Sequence, residues 1–274
     1  MTATDLRHPP ASAPSVRGRH LAVLLVAAFA GPWLVWGSAI AQAHGLLGWR
    51  LPQGLALWTL PPSLVAVVFA VGGTTALRDL TGRLARVRAG ARWYLLALAV
   101  PGLVGAGAVG LVTLAGGPTQ VGHTLGVTSA LLYLVYGTGL FLLTEEAVWR
   151  GAILPRLQAR LAPLPAALFL GVVWALWHLP LLSVPGAGDE GLPFLPFAVC
   201  VVGTSVLISA LVNASGGSVV VAAVFHAAFD AAYSYAGVVG TEHAVLWAAA
   251  GLTTVVAAAV AIGSRGRLAL PAAA

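Results

Sequence analysis

Long apolar runs dominate this chain and restrict what it can fold into. Eight segments are close to the length of about 20 residues that an α-helix needs to cross a bilayer. They cover residues 21–43, 55–77, 93–115, 127–153, 163–182, 194–213, 217–238 and 243–263. Only 8% of all residues are charged, whereas soluble domains carry about 25%. The sequence therefore predicts an all-α fold, a polytopic membrane helix bundle with about eight transmembrane helices.

The distribution of arginine predicts the orientation of these spans. All fourteen basic residues are arginine, and thirteen of them fall on one side of an eight-span arrangement. These are Arg7, Arg17, Arg19, Arg78, Arg83, Arg86, Arg88, Arg92, Arg150, Arg156, Arg160, Arg265 and Arg267. The other side has only Arg50, with Asp189, Glu190 and Glu242. We therefore expect a multi-pass protein of the cell membrane. By the positive-inside rule, both of its termini should lie in the cytoplasm. Anionic lipid headgroups account for the net positive charge, and no nucleic-acid partner is expected.

We expect three parts along the chain. Residues 1–126 form a cytoplasmic tail plus three transmembrane helices, residues 127–238 form the polar core, and residues 239–274 form the last helix and a cytoplasmic tail. Ala41-Gln42-Ala43 resembles a signal-peptidase site. However, the apolar run of 23 residues before its end exceeds the roughly 7–15 of a signal peptide, so we expect an uncleaved first helix. Arginine without lysine, beside abundant Ala, Gly and Val, is typical of GC-rich coding and favours a bacterial host.

Ionisable side chains inside the predicted membrane spans are concentrated in three of them. A charge at the centre of a membrane helix costs about 2.5–3.5 kcal/mol on insertion scales, and such residues are functional candidates. The six residues are Glu145, Glu146 and Arg150 in the fourth span, His178 in the fifth, and His226 and Asp230 in the seventh. Their concentration in three helices predicts one shared site.

The spacing of these residues predicts some of their partners. Glu146 and Arg150 are four positions apart and can form an ion pair on one helix face. Glu145 is rotated by about 100° from Glu146 and faces a different environment. His226 and Asp230 are also four positions apart, so Asp230 is expected to hydrogen-bond His226 and to favour its charged form.

The depth of the carboxylates constrains the fourth helix. His178 lies about 22 Å from the cytoplasmic end of the fifth helix at about 1.5 Å per residue. Glu145 can approach it only if the fourth helix continues past Arg150, to Ile153 or Leu154. We therefore expect the acidic pair inside a long helix that ends near Pro155.

Several explanations of the polar residues remain open. Glu146–Arg150 alone fits a helix-end ion pair, His178 an interfacial histidine, and His226–Asp230 a structural hydrogen bond. A proton- or ion-coupled transporter would use the same residues as a relay, although no inverted repeat is visible. No cofactor is expected. Zinc is the alternative, with Glu145, His178, His226 and Asp230 as its ligands.

Three stretches of the chain form an ordered set of motifs. The first is Glu145-Glu146-Ala147-Val148-Trp149-Arg150-Gly151, and the second is Trp174-Ala175-Leu176-Trp177-His178. The third is His226-Ala227-Ala228-Phe229-Asp230, preceded by Ser215-Gly216-Gly217-Ser218. Together they resemble the CPBP family of intramembrane proteases, which includes CAAX prenyl proteases and bacteriocin-processing or Abi-like proteins. The resemblance spans about residues 127–235, with Trp174 in place of a more usual Phe.

This resemblance implies a glutamate-based intramembrane endopeptidase, and a metal-dependent endopeptidase is the alternative. Glu145 and His178 would activate the water, and His226 and Asp230 would face the developing oxyanion. An ionised Asp230 would repel an oxyanion, so we expect it to keep His226 protonated, or to be protonated itself.

Three further residues would support the catalytic groups. Glu146 and Arg150 would order the helix and set the orientation of Glu145, and Trp174 would support the same site. The expected substrate is a membrane-embedded or membrane-associated peptide or protein. A non-catalytic immunity or scaffold protein of the same fold is the remaining alternative.

Overall fold

The computed structural model of the protein describes residues 18–119, 121, 126–237 and 243–268. Regular structure in these ranges is entirely helical, which confirms the predicted all-α polytopic bundle. The elements are α1 (Gly18–Ala43), α2 (Leu55–Trp58), α3 (Leu60–Leu84), α4 (Ala91–Leu114), α5 (Val127–Leu143), a π-helix (Ala147–Ile153), α6 (Leu154–Gln158), α7 (Pro163–Trp177), a 3₁₀-helix (Leu179–Ser183), α8 (Phe194–Ala214), α9 (Val219–Tyr235) and α10 (Ala244–Gly263). Arg7, Arg17 and Glu242, which contributed to the predicted orientation, lie outside the described residues.

The number of full-length spans is smaller than the predicted eight. Within the described ranges, six helices are long and apolar enough to cross a membrane, and the bent pair α5 and π-helix–α6 makes a seventh. The predicted seventh span, α9, has only 17 residues. At about 1.5 Å per residue it covers about 26 Å, slightly less than a hydrocarbon core of about 30 Å.

The predicted continuation of the fourth helix past Arg150 is present, but the helix is not one continuous element. The chain does continue helically past Arg150 and through Pro155, but α5 ends at Leu143 and the next segment is bent by 42°. Thr144, at the break, has φ −109° and ψ −94°, and its hydroxyl donates to the carbonyl of Leu140 at 2.7 Å. A π-helix follows, a form that occurs frequently at functional sites. The break therefore separates Glu145 and Glu146 from the regular helix before them.

Close helix packing fixes the frame around this break. The helix α9 packs against α4 and α5, while α8 packs against α7 and α10. At Gly171 in α7, an added Cβ would lie 2.8 Å from the Cα of Val202 in α8, so only glycine permits this approach. The start of α9 is fixed by Ser218, whose hydroxyl caps the backbone N–H of Val221 and donates to the carbonyl of Arg86 at 2.6 Å.

Candidate active site

A cavity of about 600 Å³ lies between the break after α5, the end of α7 and the middle of α9. Its wall includes Glu145, Trp174, His178, His226 and Asp230. Glu145 and His226 are each 4% exposed and His178 is 9% exposed, whereas 31% of the Asp230 side chain is accessible. The structure thus brings polar residues from the three predicted helices to one concave site.

Glu146 and Arg150 lie behind this wall and are fully buried. The predicted ion pair between them is present, with Arg150 Nη1 donating to Glu146 Oε1 at 2.7 Å. The same oxygen contacts His226 Nδ1 at 2.9 Å. Arg150 also stacks over the Trp174 ring, 4.2 Å from its centroid. One buried carboxylate therefore links the first motif to the third, and its arginine reaches the second.

The direct partner of Glu145 is a tryptophan. The indole Nε1 of Trp174 donates to Glu145 Oε2 at 2.9 Å, and both side chains are buried. A hydrogen bond to a charged group contributes about 1.5–3 kcal/mol. This bond fixes one carboxylate oxygen and leaves the other for a further donor, such as a water.

The geometry of His178 defines its tautomer. Its Nδ1 lies 2.8 Å from the backbone carbonyl oxygen of Trp174. A carbonyl only accepts, so Nδ1 carries the hydrogen and donates, and Nε2 of the neutral ring keeps its lone pair. The ring is held edge-on against Trp177 and Phe197, with centroid distances of 4.8 and 5.3 Å. His178 therefore offers the cavity a proton acceptor in a fixed orientation.

The predicted hydrogen bond between His226 and Asp230 is wrong. His226 Nε2 and Asp230 Oδ1 are 3.9 Å apart, beyond hydrogen-bond distance. The His226 ring instead stacks flat on Phe141, with centroids 3.8 Å apart, and turns Nδ1 towards Glu146. Asp230 accepts a hydrogen bond from the Tyr133 hydroxyl at 3.2 Å. Tertiary contacts with α5 and the π-helix thus override the contact along α9.

The sequence analysis missed three residues of this site. Phe141 lies four positions before Glu145, which is a weak signal that the two share a helix face. Tyr133, twelve positions before Glu145, gives no such signal. Asp189 was predicted only as a charge in a connection, yet it lines the cavity. Burial raises its carboxyl pKa to about 6; His178 acts to lower it, and Asp230 and Glu145 act to raise it. No periodicity in the sequence indicates how that connection folds.

The four residues of the zinc alternative all line the cavity. Among the residues that the structure describes, no three His, Cys, Asp or Glu side chains are arranged to hold a metal ion. Glu145 and Asp230 already accept hydrogen bonds from Trp174 and Tyr133. These four residues are therefore not grouped as a metal site in the described structure, and the zinc alternative stays a prediction.

Comparison with known families covers the segment that holds this geometry. Residues 126–232 match the family model described as Rce1-like, Type II CAAX prenyl endopeptidase Rce1-like. The match confirms the resemblance to intramembrane proteases that the three motifs predicted, and it supports endopeptidase activity in general. Its ends enclose all six ionisable residues of the three motifs. A comparison with curated proteins gives no match.

Proposed function

We propose that the protein is an intramembrane endopeptidase in which Glu145 and His178 activate a water. The supporting observation is that Trp174 holds both groups, Glu145 through its indole N–H and His178 through its carbonyl oxygen. Peptide hydrolysis needs a general base within reach of the attacking water, in a site that excludes bulk solvent. The free oxygen of Glu145 and the lone pair of His178 Nε2 meet that need on one cavity wall.

Stabilisation of the oxyanion is the second task of the site, and we assign it to His226 with Asp230. His226 donates through Nδ1 to Glu146, so its Nε2 can donate only when the ring carries both hydrogens. Carboxylates lie on both sides of that ring, at 2.9 Å for Glu146 and 3.9 Å for Asp230. The Tyr133 hydroxyl donates to Asp230, and this bond partly offsets the negative charge of that carboxylate.

The substrate in this proposal is a peptide segment within or beside the bilayer. Trp58 in α2 and Tyr136 in α5 both line the cavity, and they are 49% and 63% exposed. A segment in the membrane can therefore approach the cavity from the side, between these two helices. Both termini lie in the cytoplasm in this proposal, and the arginine-rich connections contact anionic headgroups.

Cleavage assays in liposomes test the proposal. Membrane peptides are incubated with the wild type, Glu145→Gln and His178→Ala, and products are identified by mass spectrometry. We expect each variant to lose about 10²–10⁴-fold in rate, the usual contribution of a positioned acid or base. Asp79→Asn, at an exposed ion pair remote from the cavity, is the matched control. Undiminished cleavage by both active-site variants would remove these residues from the mechanism.

Metal dependence is tested in the same assay. Because the groups that activate the water are protein side chains in this proposal, incubation with 1,10-phenanthroline is expected to leave the rate unchanged. Loss of activity that added zinc restores would instead support the four-ligand alternative.

A further inference from the structure

Asp189 occupies a fixed position in the connection between the 3₁₀-helix and α8. The side-chain amide of Gln53 donates to the carbonyl of Pro185 at 2.8 Å, which ties this connection to the segment before α2. The Glu190 carboxylate accepts from the backbone N–H of Gly186 at 2.8 Å, and Gly191 N–H donates to the carbonyl of Leu182 at 2.9 Å. These bonds hold Asp189 at the cavity wall.

Carboxylates outnumber cationic groups on that wall, where the imidazole of His226 is the one group to which we assign a positive charge. Among the described residues, three carboxylates line the cavity, from Glu145, Asp189 and Asp230, and no arginine does. The chain has no lysine. The guanidinium of Arg150 is fully buried behind the wall and engaged by Glu146. The cavity therefore presents a negative potential, and low-dielectric walls focus such a potential on what enters.

Asp189 differs from the other two carboxylates in having no donor. Glu145 is bonded to Trp174 and Asp230 to Tyr133. The half-buried Asp189 carboxylate has no hydrogen bond or ion pair with any residue that the structure describes. A carboxylate in a partly desolvated position, beside two like charges, gains most from a cation that arrives with the ligand.

We propose that Asp189 is a specificity-determining residue that binds a cationic group of the substrate, an ammonium or guanidinium next to the scissile bond. The cation comes from a Lys or Arg side chain, or from a free N-terminal amine that lies close to that bond. This inference rests on the proposed peptidase function, since the same cavity would hold the scissile bond between Glu145 and His226.

Paired substrates test this assignment. One membrane peptide is made with Lys, with Gln and with Glu at each position flanking its cleavage site, and in free and N-acetylated forms. For the wild type we expect kcat/KM for one Lys peptide to exceed that of its Gln partner by about tenfold or more, equivalent to about 1.4 kcal/mol. An effect of N-acetylation without an effect of Lys would assign the cation to the terminal amine.

Three variants of two neighbouring acidic residues separate the effect of the pocket charge from that of the loop structure. Asp189→Asn is expected to reduce the Lys-over-Gln ratio to within about threefold, and Asp189→Lys is expected to favour the Glu peptide. Glu190→Gln is the matched control: its amide oxygen still accepts from Gly186, and the Lys-over-Gln ratio should stay at the wild-type value. Equal rates for Lys and Gln peptides together with no effect of N-acetylation, or a preference for the cationic peptide that is unchanged in Asp189→Asn, would overturn the assignment.

Failure of the peptidase proposal gives a different result. If the wild type cleaves no peptide, binding of the same fluorescent peptides is measured by anisotropy. If the Lys or free-amine form binds more tightly to the wild type and Asp189→Asn removes this preference, the result would support the cation site without the peptidase function. Equal binding of all forms would remove it as well.

Discussion

The indole Nε1 of Trp174 donates a 2.9 Å hydrogen bond to Glu145 Oε2 across the interface between α7 and the break after α5. The backbone of the same tryptophan accepts from His178 at 2.8 Å. One residue thus sets the relative orientation of the two groups to which we assign water activation. Orientation of this kind is a large part of what an enzyme contributes to a reaction.

Replacing Trp174 by Phe tests this relationship. The change removes the donor to Glu145, keeps an aromatic ring below Arg150, and introduces the more usual residue of the resembled family. A lost hydrogen bond to a charged group is worth about 1.5–3 kcal/mol, so we expect kcat to fall about 10–100-fold with little change in KM. Trp33→Phe is the control, because it removes an indole bond to the carbonyl of Trp177. A rise in KM alone would contradict a positioning role.

The buried ion pair predicts a non-additive effect on stability. Arg150→Met leaves Glu146 as a buried charge without its arginine, which typically costs about 3–5 kcal/mol. The double variant Glu146→Leu/Arg150→Met removes both charges and is expected to be more stable than the single variant, although inactive. Thermal unfolding in detergent provides the measurement. Arg83→Met, which breaks the exposed pair with Asp79, should cost only about 0–1 kcal/mol.

Asp230→Asn is expected to retain activity within about tenfold. Loss of the carboxylate charge beside His226 should reduce the rate less than loss of an oxyanion donor. The asparagine oxygen can still accept from Tyr133, and its amide can donate towards the oxyanion. Asp230→Leu has neither group and should lose about 10²–10³-fold. Initial rates on one peptide distinguish the cases, and complete inactivity of the Asn variant would show that the carboxylate itself is required.

The Asp189 assignment predicts a pH-dependent preference for basic peptides. Because its pKa is about 6, the carboxyl is charged at pH 7.5, and at pH 5 only about a tenth remains ionised. The Lys-over-Gln ratio of kcat/KM should therefore fall as the pH is lowered through 6. Effects of pH on the chemical step act on both peptides alike and cancel in the ratio, and the same profile of Asp189→Asn gives the contribution of the other cavity groups. A ratio that stays constant from pH 5 to 7.5 would contradict the role of the carboxylate.

Periodicity and charge were enough to predict the helices and to select the six polar residues. Eight predicted segments correspond closely to helices or helix pairs, such as 194–213 and Phe194–Ala214. The ion pair Glu146–Arg150 followed from spacing within one segment. Such inferences succeed because both partners, or both ends, lie on one regular helix.

Partners from different helices were not predictable in the same way. His226 had a nearby candidate in Asp230, but its ring turns to Glu146, 80 positions away in the chain. The bend at Thr144 makes this contact possible, and no proline or glycine marks it in the sequence. Asp189 reaches the cavity through a connection held by Gln53, a long-range contact with no periodic signal.

The distance of 80 residues between Glu146 and His226 also has a consequence for biogenesis. At about 5–20 residues per second, the ribosome needs several seconds to make α9 after the acidic pair has emerged. During that interval the carboxylate has Arg150 but lacks its histidine partner. Truncated chains that end before α9 should therefore hold the fourth segment poorly in the bilayer and be preferred substrates of membrane quality control.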